Sequence, residues 1–270
     1  PYLSKLADAG YDMHLLSFEK TERADRKPFI SQLMKDSNIH WHPQPYTKSP
    51  PLLSTLKDIR RMRKTTEALI NKHDIKLLHC RSYIAGLIGL EMKRKHGVKF
   101  LFDMRGFWAD ERVEGGLWNL GNPVFKWAYN YFKKKERQFF TEADHTISLT
   151  EAGRDEIHSW DLPNHPVPIS VIPCCAYLDH FDEKKADTKL VADFRKKLNL
   201  PEDQLTLMYL GSIGTWYMLD EMLASFKRLL DKRPDANFLF ITREPKEMIL
   251  EAAAKVGVPT EQLVIRPAER

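Results

Sequence analysis

Short apolar runs alternate with longer amphipathic stretches along almost the whole chain, and this alternation restricts the folds open to it. Runs rich in β-branched and aromatic residues predict strands at Asp12–Phe18, Asn38–His42, Ile75–Cys80, Val98–Asp103, His145–Leu149, Ser170–Ile172, Leu205–Leu210, Asn237–Thr242 and Leu263–Ile265. Helical periodicity predicts helices at Leu53–Lys72, Tyr83–His96, Pro123–Glu142, Thr150–Ser159, Lys189–Leu198, Met218–Lys232 and Lys246–Val256. Strands spaced by helices of this length join through right-handed βαβ crossovers, so the expected class is α/β, with parallel sheets covered by helices on both faces. No fixed sequence period marks a solenoid. At about 100–200 residues per domain, the 270 residues make two domains. The pattern breaks after Pro173, which predicts a first domain over 1–173, a linker over 174–186 and a second domain over 187–270. Residues 1–9 read as the second half of a helix ending at Gly10, and the last strand lies five residues from the end of the chain. We therefore expect a preceding strand and loop and a continuation of the second domain.

Composition narrows the function classes. Hydrophobic residues at 43% and charged residues at 29% exclude a disordered or fibrous chain. The longest uncharged apolar run, Tyr83–Leu90, falls far short of the roughly 20 residues of a membrane span. The N-terminal residues carry no secretory signal pattern, and three cysteines, Cys80, Cys174 and Cys175, suit a reducing cytoplasm. A net charge of +5 points to anionic ligands, although much of it lies on mixed-charge helical faces such as Lys57–Lys64. No RNA-binding aromatic motif, nucleophile elbow or zinc-protease helix is present, so neither nucleic acid nor such chemistry is expected.

In open α/β sheets ligands bind beyond the carboxyl ends of the strands. Polar groups follow four strands here: His79-Cys80-Arg81-Ser82, Asp103-Met104-Arg105-Gly106, Ser148-Leu149-Thr150 and Gly211-Ser212-Ile213-Gly214-Thr215. Ser148 and Thr150 read equally well as helix caps. Phe102 to Gly116, with Asp103, Arg105, Gly106, Phe107, Trp108, Asp110, Glu111 and Arg112, reads as a loop of about 15 residues, long enough to be functional. Asp103 could act as a general base or orient a hydroxyl, and Arg105 could clamp a phosphate. The alternative is an internal Asp–Arg salt bridge with Phe107 and Trp108 as a hydrophobic plug. Gly211 to Thr215 could cradle a phosphate on backbone N–H groups, or form a plain tight turn. His40 and His42 share a strand face at a metal-binding spacing, but no third ligand is near in sequence, so exposed strand residues and no metal are expected. Val124, Phe125, Trp127, Tyr131, Phe132 and Phe139 with Lys133 to Lys135 read either as a membrane-surface helix or as a core-packing helix with a basic exterior.

Three stretches resemble the retaining family-4 glycosyltransferases of the GT-B fold. Thr141 to Ala152 resembles the helix end and strand closing the family's N-terminal sheet. Val171 to Phe181 resembles its interdomain linker, VIPNGVDLDRF, and Leu210-Gly211-Ser212 through Leu223 resembles its first donor-domain turn and helix. The resemblance implies two Rossmann-like domains facing a cleft, the second incomplete here. It also implies sugar transfer, with retention, from a nucleotide-sugar to a saccharide or lipid-linked acceptor in surface polysaccharide or glycolipid synthesis. No cofactor or obligatory metal is implied. The expected place is the cytoplasm or the inner membrane face. On this reading Asp103 and Arg105 lie at the reacting centre, Arg81, Ser82, Gly106, Trp108, Asp110 and Glu111 shape the acceptor side, and Gly211, Ser212, Gly214, Thr215 and Arg243 the donor side. The chain departs from the family where it usually has Arg and Lys for the diphosphate: Ser212 and Tyr217 stand there, and Cys174-Cys175 replaces the linker Asn-Gly. The family's glycine-rich first loop would precede residue 1 and its paired glutamates would follow residue 270. A GT-B nucleotide-sugar epimerase and a non-catalytic sugar- or lipid-binding module are the alternatives.

Overall fold

A computed structural model describes residues 2–49, 53–176, 178, 181–214 and 216–268. Contacts divide the chain into two compact units, one comprising Pro1–Glu111 and Asn119–Cys174, the other Arg112–Trp118 and Cys175–Arg270. In the first unit α1 (Tyr2–Asp8) leads into β1 (Met13–Glu19), α2 (Lys27–Asp36) and β2 (Ile39–Pro45), and β1 and β2 pair in parallel. Then follow α3 (Leu53–His73), β3 (Leu77–Arg81), α4 (Ser82–His96), β4 (Lys99–Asp103), α5 (Trp108–Glu114), α6 (Pro123–Glu142), β5 (His145–Ser148), α7 (Glu151–His158) and β6 (Ile169–Val171). Strands β3 to β6 form a parallel sheet in sequence order. The second unit contains α8 (Thr188–Lys197), β7 (Thr206–Leu210), α9 (Leu219–Leu230), β8 (Asn237–Thr242), α10 (Lys246–Val256) and β9 (Leu263–Pro267), with β7, β8 and β9 parallel in that order. This is the expected α/β class, and each expected strand and helix is present with its ends shifted by at most a few residues.

The strands owe their positions to two-sided burial. On β8, Phe238 and Phe240 pack with Phe226 of α9, while Leu239 faces Leu198 and Leu200, so a continuous apolar run becomes the middle strand. On β4, Phe100 and Phe102 meet Phe139 and Phe140 of α6, with Phe102 and Phe139 ring centroids 4.9 Å apart. Helix α4 lies close on this sheet because Gly86 and Gly89 face it. A Cβ at Gly89 would stand 2.5 Å from Cys80 Sγ and from the Phe100 ring. Burial beneath this helix pushes the Cys80 thiol up to about 12, and all three cysteines are free.

Two expectations need correction. The stretch between Glu19 and Asn38, read without an element, contains α2, on which Ile30 and Met34 are half-buried while Phe29 and Leu33 stay exposed. The long loop after β4 is also shorter than the sequence suggested. Helix α5 takes up Trp108–Glu114, with Asp110 and Glu111 in its first turn, where the helix dipole favours acids.

Asp144, between α6 and β5, ties the sheet to its helices. Its carboxylate accepts from Lys93 Nζ at 2.7 Å, Lys99 Nζ at 3.0 Å and the Phe100 backbone N–H at 2.8 Å. Burial opposes ionisation, but these donors outweigh it and hold the carboxyl well below the usual range. A depressed pKa contributes stability above the unfolded value of about 3.9, and that stability is lost as pH falls below it. Asp144→Asn should therefore lower stability by about 1–3 kcal/mol at pH 7. In urea melts from pH 7 to pH 3 the gap from the native protein should narrow only at the acid end.

Candidate functional site

The carboxyl ends of β3 and β4 bring the first group of expected residues together. Parallel pairing sets Arg81 beside Asp103. The Asp103 carboxylate is largely buried, with His79 Nε2 at 3.2 Å and Arg81 Nε at 3.8 Å from its Oδ2. His79 was not among the site residues expected from sequence. Its two-residue spacing from Arg81, with buried Cys80 between, was the available signal, since alternate strand residues share a face. Asp103 is thus an oriented acceptor flanked by an imidazole and a guanidinium.

The backbone turns sharply on both sides of this carboxylate. Ser82 has φ 70° where β3 passes into α4 without a loop, and Arg105 has φ 63° just beyond β4. Left-handed backbone costs a residue with a Cβ roughly 1–2 kcal/mol, and such strain concentrates at functional sites. The exposed Arg105 side chain has no hydrogen-bond or ion-pair partner among the described residues. The Glu111 carboxylate occupies the space a Cβ on Gly106 would fill, which accounts for the glycine.

Asp110 and Trp108 have internal partners. Asp110 accepts from Tyr129 Oη and Lys133 Nζ, each at 2.8 Å. Lys133 also donates to Glu136, whose fully buried carboxylate accepts from Tyr83 Oη as well. Burial pushes Glu136 up, with the Lys133 and Tyr83 hydrogen bonds opposing it. Burial works against the Lys133 ammonium, but its hydrogen bonds to Asp110 and Glu136 carry it above its ordinary value. Trp108 stacks on Tyr83 with centroids 5.7 Å apart, and Phe107 packs against Trp160. The expected aromatic plug is therefore present, with an Asp–Lys pair at its base. Of Ser148 and Thr150, Thr150 caps α7, its Oγ1 accepting from Gly153 N, while Ser148 Oγ donates to the Thr150 carbonyl just before the helix.

In the second unit, Gly211 N donates to the Ile241 carbonyl, which sets the turn after β7 beside the end of β8. Tyr209 Oη donates to the Ser212 carbonyl at 2.7 Å, and buried Ile213 anchors the turn. Gly214 has open space where a Cβ would be. Arg243 lies exposed after β8, without a hydrogen-bond or ion-pair partner among the described residues. Thr215 lies outside the described residues. The turn and Arg243 thus share the carboxyl edge of this sheet.

On α6, Phe139 and Phe140 lie in the core, while Val124 and Trp127 are exposed. The C-terminal half thus follows the core-packing reading, and the N-terminal half leaves an apolar surface. No helix among the described residues is long and apolar enough to cross a membrane.

Parallel α/β sheets with polar groups at their carboxyl edges define the class, and the fold matches that of GT-B glycosyltransferases. The model of a family described as glycosyl transferase 4-like domain matches residues 2–175, and the chain belongs to that family. Sucrose-phosphate synthase from Thermosynechococcus elongatus is similar at 13% identity and a TM-score of 0.60, over 95% of this chain and 71% of that one. A glycosyltransferase from Rickettsia africae is similar at 13% identity and a TM-score of 0.58, over 96% and 69%. HepE of Anabaena, solved with UDP and glucose, is similar at 9% identity and a TM-score of 0.58, over 96% and 70%. No curated protein sequence matches the chain significantly.

Replacing Lys133 by Met would leave Glu136 buried beside Asp110 without a cation. Removing one partner of a buried pair costs about 3–5 kcal/mol. Urea denaturation of Lys133→Met at pH 7 should show a loss of about 3 kcal/mol.

Proposed function

We propose that the protein is a retaining glycosyltransferase that moves a sugar from a nucleotide-sugar to a saccharide or lipid-linked acceptor in surface polysaccharide or glycolipid synthesis. It works in the cytoplasm, at or near the inner face of the membrane, and needs no metal for transfer. The domains are residues 1–173 for the acceptor and 187–270 for the donor, joined by 174–186. The observation that carries this reading is the Asp103 carboxylate held between His79 and Arg81, with Arg105, exposed and without a partner among the described residues, in strained backbone just beyond β4. Membership of the glycosyl transferase 4-like family supports it.

Transfer builds negative charge on the departing diphosphate, so the site must supply cations and oriented N–H donors. Arg243 and the turn from Gly211 through Ser212 and Gly214 to Thr215 fill that role on the donor side. On the acceptor side Asp103 accepts from the attacking hydroxyl and orients it. Arg105 meets the charge that develops at the reacting centre, Arg81 and Ser82 bind the acceptor's polar groups, and Gly106, Trp108, Asp110 and Glu111 form the wall behind them.

A thermal-shift panel with UDP, GDP, ADP and their sugar conjugates tests the donor. One nucleotide class at about 100 times its Kd should stabilise the protein by roughly 2.7 kcal/mol. A folded sample that responds to none of them argues for the binding-module alternative. Conversion of a nucleotide-sugar without any acceptor points instead to epimerase chemistry.

Arg105→Gly separates strain from function. Glycine relieves the left-handed backbone, so stability should rise by about 1 kcal/mol, while turnover should fall at least about tenfold with loss of a charge-assisted contact. Stability comes from urea melts and turnover from nucleotide release. Unchanged turnover would remove Arg105 from the site.

A further inference from the structure

The expectation that His40 and His42 lack further ligands does not survive folding. In the β1–β2 pair, His14 stands in register with His40, and His42 follows on the same face. The His14 ring stacks on His40 with centroids 4.6 Å apart and on His42 at 5.2 Å, and His73 at the end of α3 approaches it at 4.4 Å. Asp12, just before β1, completes a group whose ligand atoms, with those of His14 and His40, all lie within 4.8 Å of one another. Residues distant in sequence thus converge at the amino ends of β1 and β2, the edge opposite the one that carries ligands in this class of sheet.

We propose that Asp12, His14 and His40 form a site for a first-row divalent transition ion, best suited to Zn²⁺, with water in a fourth position.

The spacing fits the ion. Bonds of about 2.0–2.2 Å in a tetrahedral site separate ligand atoms by roughly 3.3–3.6 Å. The Asp12 carboxylate oxygens stand 3.6 Å from His14 Nε2 and 3.4 Å from His40 Nε2. The contacts use different oxygens of the carboxylate, Oδ2 toward His14 and Oδ1 toward His40, and each is close to the separation of ligands on one ion; 3.6 Å is also too long for a hydrogen bond.

The state of His14 is an independent observation. Its side chain is only 6% exposed, yet its Nε2 has no hydrogen-bond partner. A buried polar atom left unsatisfied costs about 1–3 kcal/mol, and coordination would satisfy it. Its other nitrogen, Nδ1, lies 3.0 Å from His42 Nε2. With Nδ1–H donating to His42, Nε2 carries its lone pair toward Asp12. Metal-bound histidines are commonly oriented in this way through the second ring nitrogen, which makes His42 a positioning residue. Two imidazoles and a carboxylate select Zn²⁺ or a neighbouring transition ion over Mg²⁺, which prefers an all-oxygen shell. His40 and Asp12 are exposed, so the ion enters from solvent.

The test is calorimetric titration of the EDTA-treated protein with ZnCl₂, with MgCl₂ as control and a parallel thermal-shift series. One equivalent of Zn²⁺ should bind and raise the Tm by several degrees, and Mg²⁺ should do neither. His40→Ala and Asp12→Asn alter exposed side chains that the fold does not need, so both should remain folded by circular dichroism and lose this binding. His42→Ala should weaken it about 10–100-fold. Cys174 and Cys175, exposed and adjacent, are further Zn²⁺-binding groups to exclude, and Cys174→Ser/Cys175→Ser should bind as the native protein does. The proposal is overturned by absence of binding to the folded native protein, by binding that survives both His40→Ala and Asp12→Asn, or by binding lost in the cysteine variant.

Discussion

The buried Glu136 carboxylate is the constraint on which the carboxyl edge of β3 and β4 depends. No water reaches it, so its charge has to be met inside the protein. Tyr83 from α4 and Lys133 from its own helix donate to it, and Lys133 also holds Asp110 of α5. One carboxylate therefore fixes α4, α5 and α6 relative to one another. Tyr83 stacks on Trp108, so the segment between β4 and α5, which carries Arg105 and Gly106, is held at its far end by the same cluster. Left-handed backbone at Ser82 and Arg105 persists only where surrounding packing over-determines it. The network and the aromatic plug provide that packing.

Rigidity beneath the edge contrasts with the residues above it. Asp103 is buried and oriented, whereas Arg105 is exposed and has no partner among the described residues. An enzyme that must neutralise charge appearing only during reaction benefits from cations not already committed to internal carboxylates. Lys133 is committed to Asp110 and Glu136 and cannot serve; Arg105 can.

The architecture was legible because each strand buries an apolar run and each long helix shows a periodic stripe. Asn237–Thr242, Pro123–Glu142 and Lys246–Val256 fall where the sequence puts them, to the residue. Helix α2 was missed because its apolar positions, Phe29, Ile30, Leu33 and Met34, make only a short stripe beside the charged stretch Lys20–Lys27, and α5 because two turns rich in charge and aromatics resemble a loop. The carboxyl-edge residues were legible as strand ends, but the contact of His79 with Asp103 depends on register between β3 and β4. The histidine cluster was illegible for the same reason: its members at 12, 14, 40, 42 and 73 meet only through the pairing of β1 with β2 and the packing of α3. Patterns within a segment survive in sequence, whereas contacts across strands do not.

If the turn after β7 takes the donor as proposed, it must do so without the pair of cations the resembling family carries there. A helix amino end can hold phosphate through its free N–H groups and dipole. Helix α9 is poorly suited to do so alone, because Asp220 and Glu221 occupy its first turn and already use that field. With Ser212 and Tyr217 where the resembling family has Arg and Lys, neither the helix nor the turn's side chains bring positive charge to a diphosphate. Gly211 hydrogen-bonds to the end of β8, so the nearest exposed cation in sequence beyond that contact is Arg243. Under the proposed function, a nucleotide-sugar bound to this unit would draw on backbone N–H groups and on the Arg243 guanidinium. Arg243 can meet two phosphate oxygens with a planar fork, a geometry that Lys lacks. This makes the identity of residue 243 matter more here than it would in a site with both family cations in place.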